Sequence, residues 1–273
     1  MPTVLLHLRA LPLLLGALLL SGCDIGEWEL SSHAPFEKTV ALDPMGAFAL
    51  ENVNGNVTVE PWDRSSVQIE GEKSASNERT LEEIRIEVSG EGDRVQVKTR
   101  MPRRGFFSGG SGKVDYHIRL PVQARLELQT VNGGIDTGGM QGRIRASTVN
   151  GSIKVTDAGG EVNLTTVNGN IEARYSKLPG EARHGFTTVN GSVTLWLPDV
   201  VDAEFDARAV NGSINTDFPL EVSGKPGNSS LKGRIGEGRS SFRIKTVNGG
   251  VKVLKKEMKV VKSSGGAGKR PSV

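Results

Sequence analysis

The triplet Val-Asn-Gly begins at Val53, Val131, Val149, Val167, Val189, Val210 and Val247 of the 273-residue chain. A short motif repeated this often constrains the fold more than any other feature, because every copy must occupy the same place in one supersecondary unit. The intervals between copies are 78, 18, 18, 22, 21 and 37 residues. If 78 is read as four units and 37 as two, the common unit is about 18 to 22 residues, or one coil per unit.

The flanks repeat as well. Five and three residues before each Val stand pairs such as Leu126/Leu128, Ile144/Ala146 and Val162/Leu164, and among all seven pairs only His184 is not apolar. Four and six residues after it stand Ile135/Thr137, Ile153/Val155, Ile171/Ala173 and their counterparts. Period-two alternation on both sides reads as two short strands joined at Asn-Gly. Glycine there is expected to permit positive φ, and asparagine to tolerate it with a side-chain hydrogen bond.

Two all-β architectures satisfy this pattern. Asn-Gly between alternating runs is a hairpin signal, which would give an antiparallel β-meander or sandwich. Stacking the units in parallel would give a single-chain β-solenoid, a β-helix, with about 18 to 22 residues per coil. The outward positions favour the solenoid. Asp136, Lys154 and Glu172 occupy one such position in consecutive units, and Glu127 and Arg145 another. Parallel rungs about 4.8 Å apart would set these opposite charges side by side. The same stacking would align Asn132, Asn150, Asn168, Asn190 and Asn211 as an amide ladder.

Length changes fall in the links at 157–160, 176–180 and 198–202, the corner where stacked repeats accept insertions. Between Val53 and Val131 the triplet is absent, yet strand-like runs appear at 66–70, 84–88, 94–98 and 114–118, with a short helix expected at 78–83. Arg103 to Lys113, with four glycines, reads as a mobile loop.

The amino terminus reads as an address. After His7 and Arg9 an apolar run from Ala10 to Leu20 reaches about 16 Å as a helix, half of a bilayer core, so it does not span. A basic start, a short apolar stretch and small residues are the layout of a secretory signal over residues 1–22. The run closes on Leu20-Ser21-Gly22-Cys23, and Cys23 is the only cysteine, which excludes an intrachain disulfide and a cysteine-based metal cluster. The expected layout is then an amino-terminal tether at 23–44, which the resemblance given next implies is lipidated, a repeat domain at 45–254 and a flexible basic tail at 255–273. The tail holds six bases and one acid, leaving 27 bases against 30 acids over 23–254, so the net positive charge of the chain belongs to its end. An exported chain with an acidic body is not expected to bind nucleic acid.

The Leu20-Ser21-Gly22-Cys23 segment resembles the lipobox of bacterial lipoproteins. That resemblance implies cleavage before Cys23, whose sulfur then carries a diacylglyceryl thioether and whose amine carries an acyl chain such as palmitate. Two or more chains anchor stably. Asp24 follows, which among enterobacterial lipoproteins is associated with inner-membrane retention. Over residues 45–254, the T-V-N-G-x-I repeats and the segment Val114-Asp115-Tyr116-His117-Ile118-Arg119-Leu120-Pro121 resemble a bacterial adhesin family with β-strand repeats, a domain of unknown function akin to the head of GIN-type adhesins. The resemblance implies a single-chain β-helix at the cell envelope, on the periplasmic face or cell surface, and no catalytic residues. Asn52 and Ala209 depart from it, standing where the repeat has Thr.

Direct signs of chemistry are few. Ser108 to Lys113 lacks the glycine and hydroxyl positions of a phosphate loop, and Ser111 has no nucleophile frame. His7, His33, His117 and His184 show no metal-ligand spacing; His117 reads as surface, and His184 as a partly buried or edge residue at an inward position. Sequons at Asn150, Asn190 and Asn211 belong to the repeat. The expectation is a non-catalytic envelope lipoprotein, with no cofactor or metal, whose partners are the membrane through Cys23 and a surface protein or glycan; its oligomeric state stays open. The alternatives are a carbohydrate-active β-helix enzyme using Asp136 and Glu172 with Lys154 between them, since paired carboxylates perform glycoside hydrolysis, and an accessory to envelope stress signalling.

Overall fold

Each Asn-Gly unit folds as two strands that part at the turn and enter different sheets. The computed structural model describes residues 32–102, 112–220, 222–225 and 228–256. Cys23, the expected signal and tether residues before 32, the glycine-rich segment 103–111 and the tail from 257 lie outside the described residues.

The amino-terminal portion comprises β1 (Ser32–Glu51), β2 (Val57–Trp62), β3 (Ser66–Ala75), α1 (Glu78–Glu83), β4 (Arg85–Arg100) and β5 (Gly112–Pro121). Paired strands of successive units follow: β6 (Arg125–Gln129) with β7 (Ile135–Gly138), β8 (Ile144–Asn150) with β9 (Ile153–Thr156), and β10 (Val162–Asn168) with β11 (Ile171–Arg174). Next come β12 (Arg183–Asn190) with β13 (Val193–Leu197), and β14 (Ala203–Asn211) with β15 (Ile214–Thr216). The hairpin strands β16 (Val222–Lys225) and β17 (Asn228–Ile235) precede the last pair, β18 (Ser240–Asn248) and β19 (Val251–Lys255). The described residues are all-β apart from α1, which begins where Asn77 caps the Thr80 amide at 2.9 Å.

The first strands of the units pair in parallel as a front sheet, and the second strands as a back sheet. Ile144 of β8 is in register with Leu126 and Val162, and Ile153 of β9 with Ile135 and Ile171. These ladders join residues one unit apart; β8 pairs with β6 and β10 and β9 with β7 and β11, so the meander's pairing across Asn-Gly does not form. Inward residues of the two sheets, Val, Ile, Leu and Ala with a few Phe, make one continuous core. Each fully buried Val or Leu there contributes about 1.5 to 3 kcal/mol.

Strict sequential stacking is not what the chain does. The last unit, β18 and β19, lies between the fifth and sixth: β18 pairs with both β12 and β14, and β19 with both β13 and β15. The outer edge of β14 is taken by β17, which runs antiparallel to it, so the last unit enters on the inner edge. The 37-residue interval is therefore one unit plus the β16–β17 hairpin, not two units. The 78-residue interval holds no hidden units either. β1 and β2 pair directly with β6 and β7, and residues between them supply β3 and β5, which extend the back sheet, and β4, which extends the front sheet.

Residues 32–44, expected as the end of a tether, form most of the first part of β1, where Ser32–Ala41 pairs antiparallel with β3. Ala34, Phe36 and Val40 pack against the core, an alternation outside the repeat that gave no strand signal on its own. At the other end Lys255 closes β19, and the Lys256 amide donates to Leu197 O at 2.7 Å.

The amide ladder forms and records the exchanged order. Nδ2 donates to Oδ1 from Asn132 to Asn54, Asn150 to Asn132, Asn168 to Asn150, Asn190 to Asn168, Asn248 to Asn190 and Asn211 to Asn248, at 2.7 to 2.9 Å. The glycine that follows serves a different purpose from the expected one. Among these glycines only Gly55 and Gly249 have positive φ, and none of the repeat asparagines does. What excludes a side chain is the neighbouring coil: a Cβ on Gly151 would lie 2.0 Å from Gly133 O, and one on Gly169 1.9 Å from Gly151 O. In four units the threonine just before Val-Asn-Gly serves the same seam, with Thr148, Thr166, Thr188 and Thr246 donating to the Gly133, Gly151, Gly169 and Gly191 carbonyls at 2.9 to 3.0 Å. Asn52 replaces Thr in the first unit and reaches farther, to Val114 O of β5 at 2.9 Å.

Candidate binding face

Alternation in the front sheet sends every second side chain outward, and parallel register lines those side chains into rows across the strands. One row passes through Arg94, Ala47 and Arg125, with Arg143 beside them just before β8. A second begins Gln96, Ala49, Glu127 and Arg145. It continues through Asn163, Gly185, Arg243 and Asp206. Small residues in these rows leave the backbone uncovered. Over Ala47 and Ala49 lies a depression of about 210 Å³ walled by Arg94, Arg125, Arg143 and Arg145, with Glu127 at its side. Over Gly185 lies another of about 360 Å³, edged by Asn163, Arg183, Arg243, Glu204 and Asp206.

Bases outnumber acids on this face, although acids outnumber bases over residues 23–254 as a whole. Some arginines are neutralised in place: Arg143 meets Glu161 at 3.1 Å, and Arg94 reaches Glu127 at 4.0 Å. Among the described residues, Arg125 and Arg145 form no ion pair. A further depression, about 470 Å³, sits at the corner where the links 176–180 and 198–202 meet beside Arg239.

On the back sheet Asp136, Lys154 and Glu172 do fall in consecutive rungs as the spacing required. Lys154 Nζ is 3.6 Å from Asp136, while Glu172 turns to Arg174 at 4.0 Å. All three are about half exposed on an open strand face, a ladder of surface ion pairs of small energetic weight. His117 faces outward between Glu60 at 3.1 Å and Glu70 at 3.5 Å, and His33 lies against Ser74 and Glu72.

His184 is fully in the core rather than at an edge. Its Nδ1 lies 3.3 Å from the Val162 amide, which donates to it, and 3.0 Å from the Tyr175 hydroxyl. In neighbouring units the equivalent amides of Leu126 and Ile144 donate to backbone carbonyls, of Arg143 and Glu161. An imidazole nitrogen here takes the carbonyl's place, at the point where a longer link changes the strand's entry. The ring stacks on Phe242 at 4.5 Å, and Phe242 on Phe205 at 5.0 Å, three units matched at one inward position. Burial lowers the His184 pKa to about 4, so the ring is neutral, and burial raises the Tyr175 hydroxyl well above its usual value. With Nδ1 accepting, Nε2 carries the proton and finds no partner among the described residues. This pair is a structural device inside the core; its only sequence signal was a polar residue at an otherwise apolar position. The arginine-walled depression had no signal, because it is assembled from three strands and the small residues of a fourth.

Among the described residues no helix is long and apolar enough to cross a membrane. Nor do three His, Cys, Asp or Glu side chains gather there to hold a metal ion.

The fold and face define an all-β protein of stacked Asn-Gly coils with one strongly basic sheet surface. Residues 143–254 match the family model described as Toastrack DUF4097. Among solved structures, the chain is similar to a provisionally assigned cell adhesion protein from Clostridium sporogenes ATCC 15579, at 14% identity and TM-score 0.46 over 82% of this chain and 100% of that one. It is also similar to a provisionally assigned adhesin from Bacteroides fragilis NCTC 9343, at 12% identity and TM-score 0.37 over 82% and 97% of the two chains. A provisionally assigned lipid-binding protein from Parabacteroides distasonis ATCC 8503 is similar at 12% identity and TM-score 0.30 over the same shares. No curated protein matches the chain.

Proposed function

We propose that this protein is a non-catalytic lipoprotein of the bacterial cell envelope, held at a membrane through lipid on Cys23, whose stacked coils present a surface that binds a partner or glycan. The fold reading beneath it is a single-chain β-solenoid with its last coil exchanged inward. The observation that carries the binding role is the front sheet's outer face: two depressions along one strip of in-register rows, with Arg125 and Arg145 forming no ion pair among the described residues. Unpaired cations on a rigid sheet are ready for an external ligand, since the scaffold has already met the ordering cost.

Fractionation tests the anchoring. Wild-type protein is expected to partition with membranes into detergent, and Cys23→Ala to become soluble or to keep its signal uncleaved. Identical, lipid-free fractionation of both forms would refute the anchor.

A further inference from the structure

We infer that the depression over Ala47 and Ala49 is an anion subsite, and that the ligand of the front face is an anionic polysaccharide whose acidic group is received by Arg125 and Arg145. The inference rests on the binding role proposed above and names its chemistry.

Three observations lead there. The first is the pairing pattern: of the arginines around the depression, Arg94 and Arg143 have carboxylate partners, and Arg125 and Arg145 have none among the described residues. These two sit on adjacent strands, two residues apart along the register, so their backbones are about 8 Å apart, within reach of one group held between two long side chains. A guanidinium fork binds a carboxylate or phosphate through paired hydrogen bonds. The second is the floor. Ala47 and Ala49 carry no side chain past Cβ, which leaves about 210 Å³ open between the arginines. Glu127 stands at the wall, drawn toward Arg94 at 4.0 Å.

The third is what the rows lack. Their outward residues are charged, amide, hydroxyl or small, with no aromatic or large aliphatic side chain from Gln96 through Asp206. Interfacial membrane binding needs apolar side chains to enter the headgroup boundary. Protein interfaces likewise centre on aromatic or aliphatic anchors. A neutral sugar would have no ring to stack on. What remains is a hydrated, extended ligand held by charge, running along the strip from the arginine depression toward the one over Gly185.

The test uses mature full-length protein in detergent and three soluble probes measured by calorimetry: a short oligogalacturonate, the same oligomer fully methyl-esterified, and glycerophosphoglycerol, the headgroup of phosphatidylglycerol without its acyl chains. Expected is binding of the oligogalacturonate that weakens as salt rises, weakens about tenfold or more in Arg125→Gln/Arg145→Gln, and is unchanged in Lys154→Gln on the back sheet. Circular dichroism of each variant checks that the fold is kept. Equal binding of the esterified oligomer would overturn the anionic subsite while leaving glycan binding intact. Binding of glycerophosphoglycerol alone would overturn it in favour of a membrane surface, and binding of no probe would remove both the subsite and the glycan reading. Undiminished binding by the double variant would overturn the assignment to these arginines.

Discussion

Replacing Gly151 with alanine adds one methyl group at the seam between the second and third repeat units. The local backbone of Gly151 is not in the left-handed region, so alanine is conformationally acceptable there. The obstacle is the adjacent coil, because the new Cβ would lie 2.0 Å from Gly133 O and 2.5 Å from its carbonyl carbon. Carbon and oxygen in contact are normally about 3.3 Å apart or more, so the coils must separate by over an ångström. The seam is tied on both sides, by Gly133 N to Asn150 O and Gly151 N to Asn168 O at 3.0 Å and by Thr148 Oγ1 to Gly133 O at 3.0 Å. Overpacking against backbone costs about 1 to 3 kcal/mol, and each hydrogen bond stretched out of range adds about 1. The expected loss is about 3 to 5 kcal/mol, a large part of a domain's usual 5 to 15.

Gly180 supplies the control, since a Cβ there meets nothing within 4 Å. Gly180→Ala should be neutral or slightly stabilising, because it only restricts the unfolded chain. Urea denaturation followed by circular dichroism compares the two. If Gly151→Ala falls within about 0.5 kcal/mol of Gly180→Ala, a scale typical of harmless surface changes, close coil approach is not why the repeat keeps glycine. A conformational role would instead make Gly55 and Gly249, at φ 113° and 154°, the sensitive positions.

His184 predicts a pH dependence with a definite sign. Its folded pKa of about 4 lies below the ordinary 6.5, so the unfolded chain takes up the proton first; stability is full above about 6.5 and falls toward pH 4, by about 3 kcal/mol in all. In His184→Phe that slope should flatten, whatever the level at neutral pH, and an unchanged slope in denaturation midpoints between pH 4 and 6.5 would reject a neutral buried ring. Ending the chain after Arg239 removes the coil between the fifth and sixth units and one ring of the aromatic stack, so loss of cooperative melting is expected. Ending it after Lys256 should leave the melting temperature unchanged. Equal melting of the two truncated forms would mean that β14 re-pairs with β12 and that the inserted coil is dispensable.

The inward half of this structure was legible in the sequence because each strand's buried set is written as strict alternation around a fixed turn. Leu126, Ile144 and Val162 announce the front sheet, and Ile135, Ile153 and Ile171 the back sheet. Charge order on the outside then separated parallel stacking from a meander. The glycine's role was misread because Asn-Gly in isolation speaks of turn dihedrals, and coil-to-coil approach is a non-local fact. The arginine depression was illegible for a related reason: Arg94, Arg125 and Arg145 are brought together across β4, β1, β6 and β8, and nothing in any one unit marks them.

Coil order was illegible for a deeper one. Every unit carries the same Thr-Val-Asn-Gly seam or a near copy, so any unit can sit on any other with the same amide ladder and the same inward register. Uniqueness has to come from residues outside the motif. Two features supply it at the carboxyl end. β17 occupies the outer edge of β14, which closes that end of the front sheet to the last unit. Phe242 fits between His184 and Phe205, whereas the first-strand positions of the middle units hold Leu126, Ile144 and Val162, which have no ring to stack. The repeated residues therefore make stacking possible, and the unrepeated ones decide its order and leave the outer face free to vary toward a ligand.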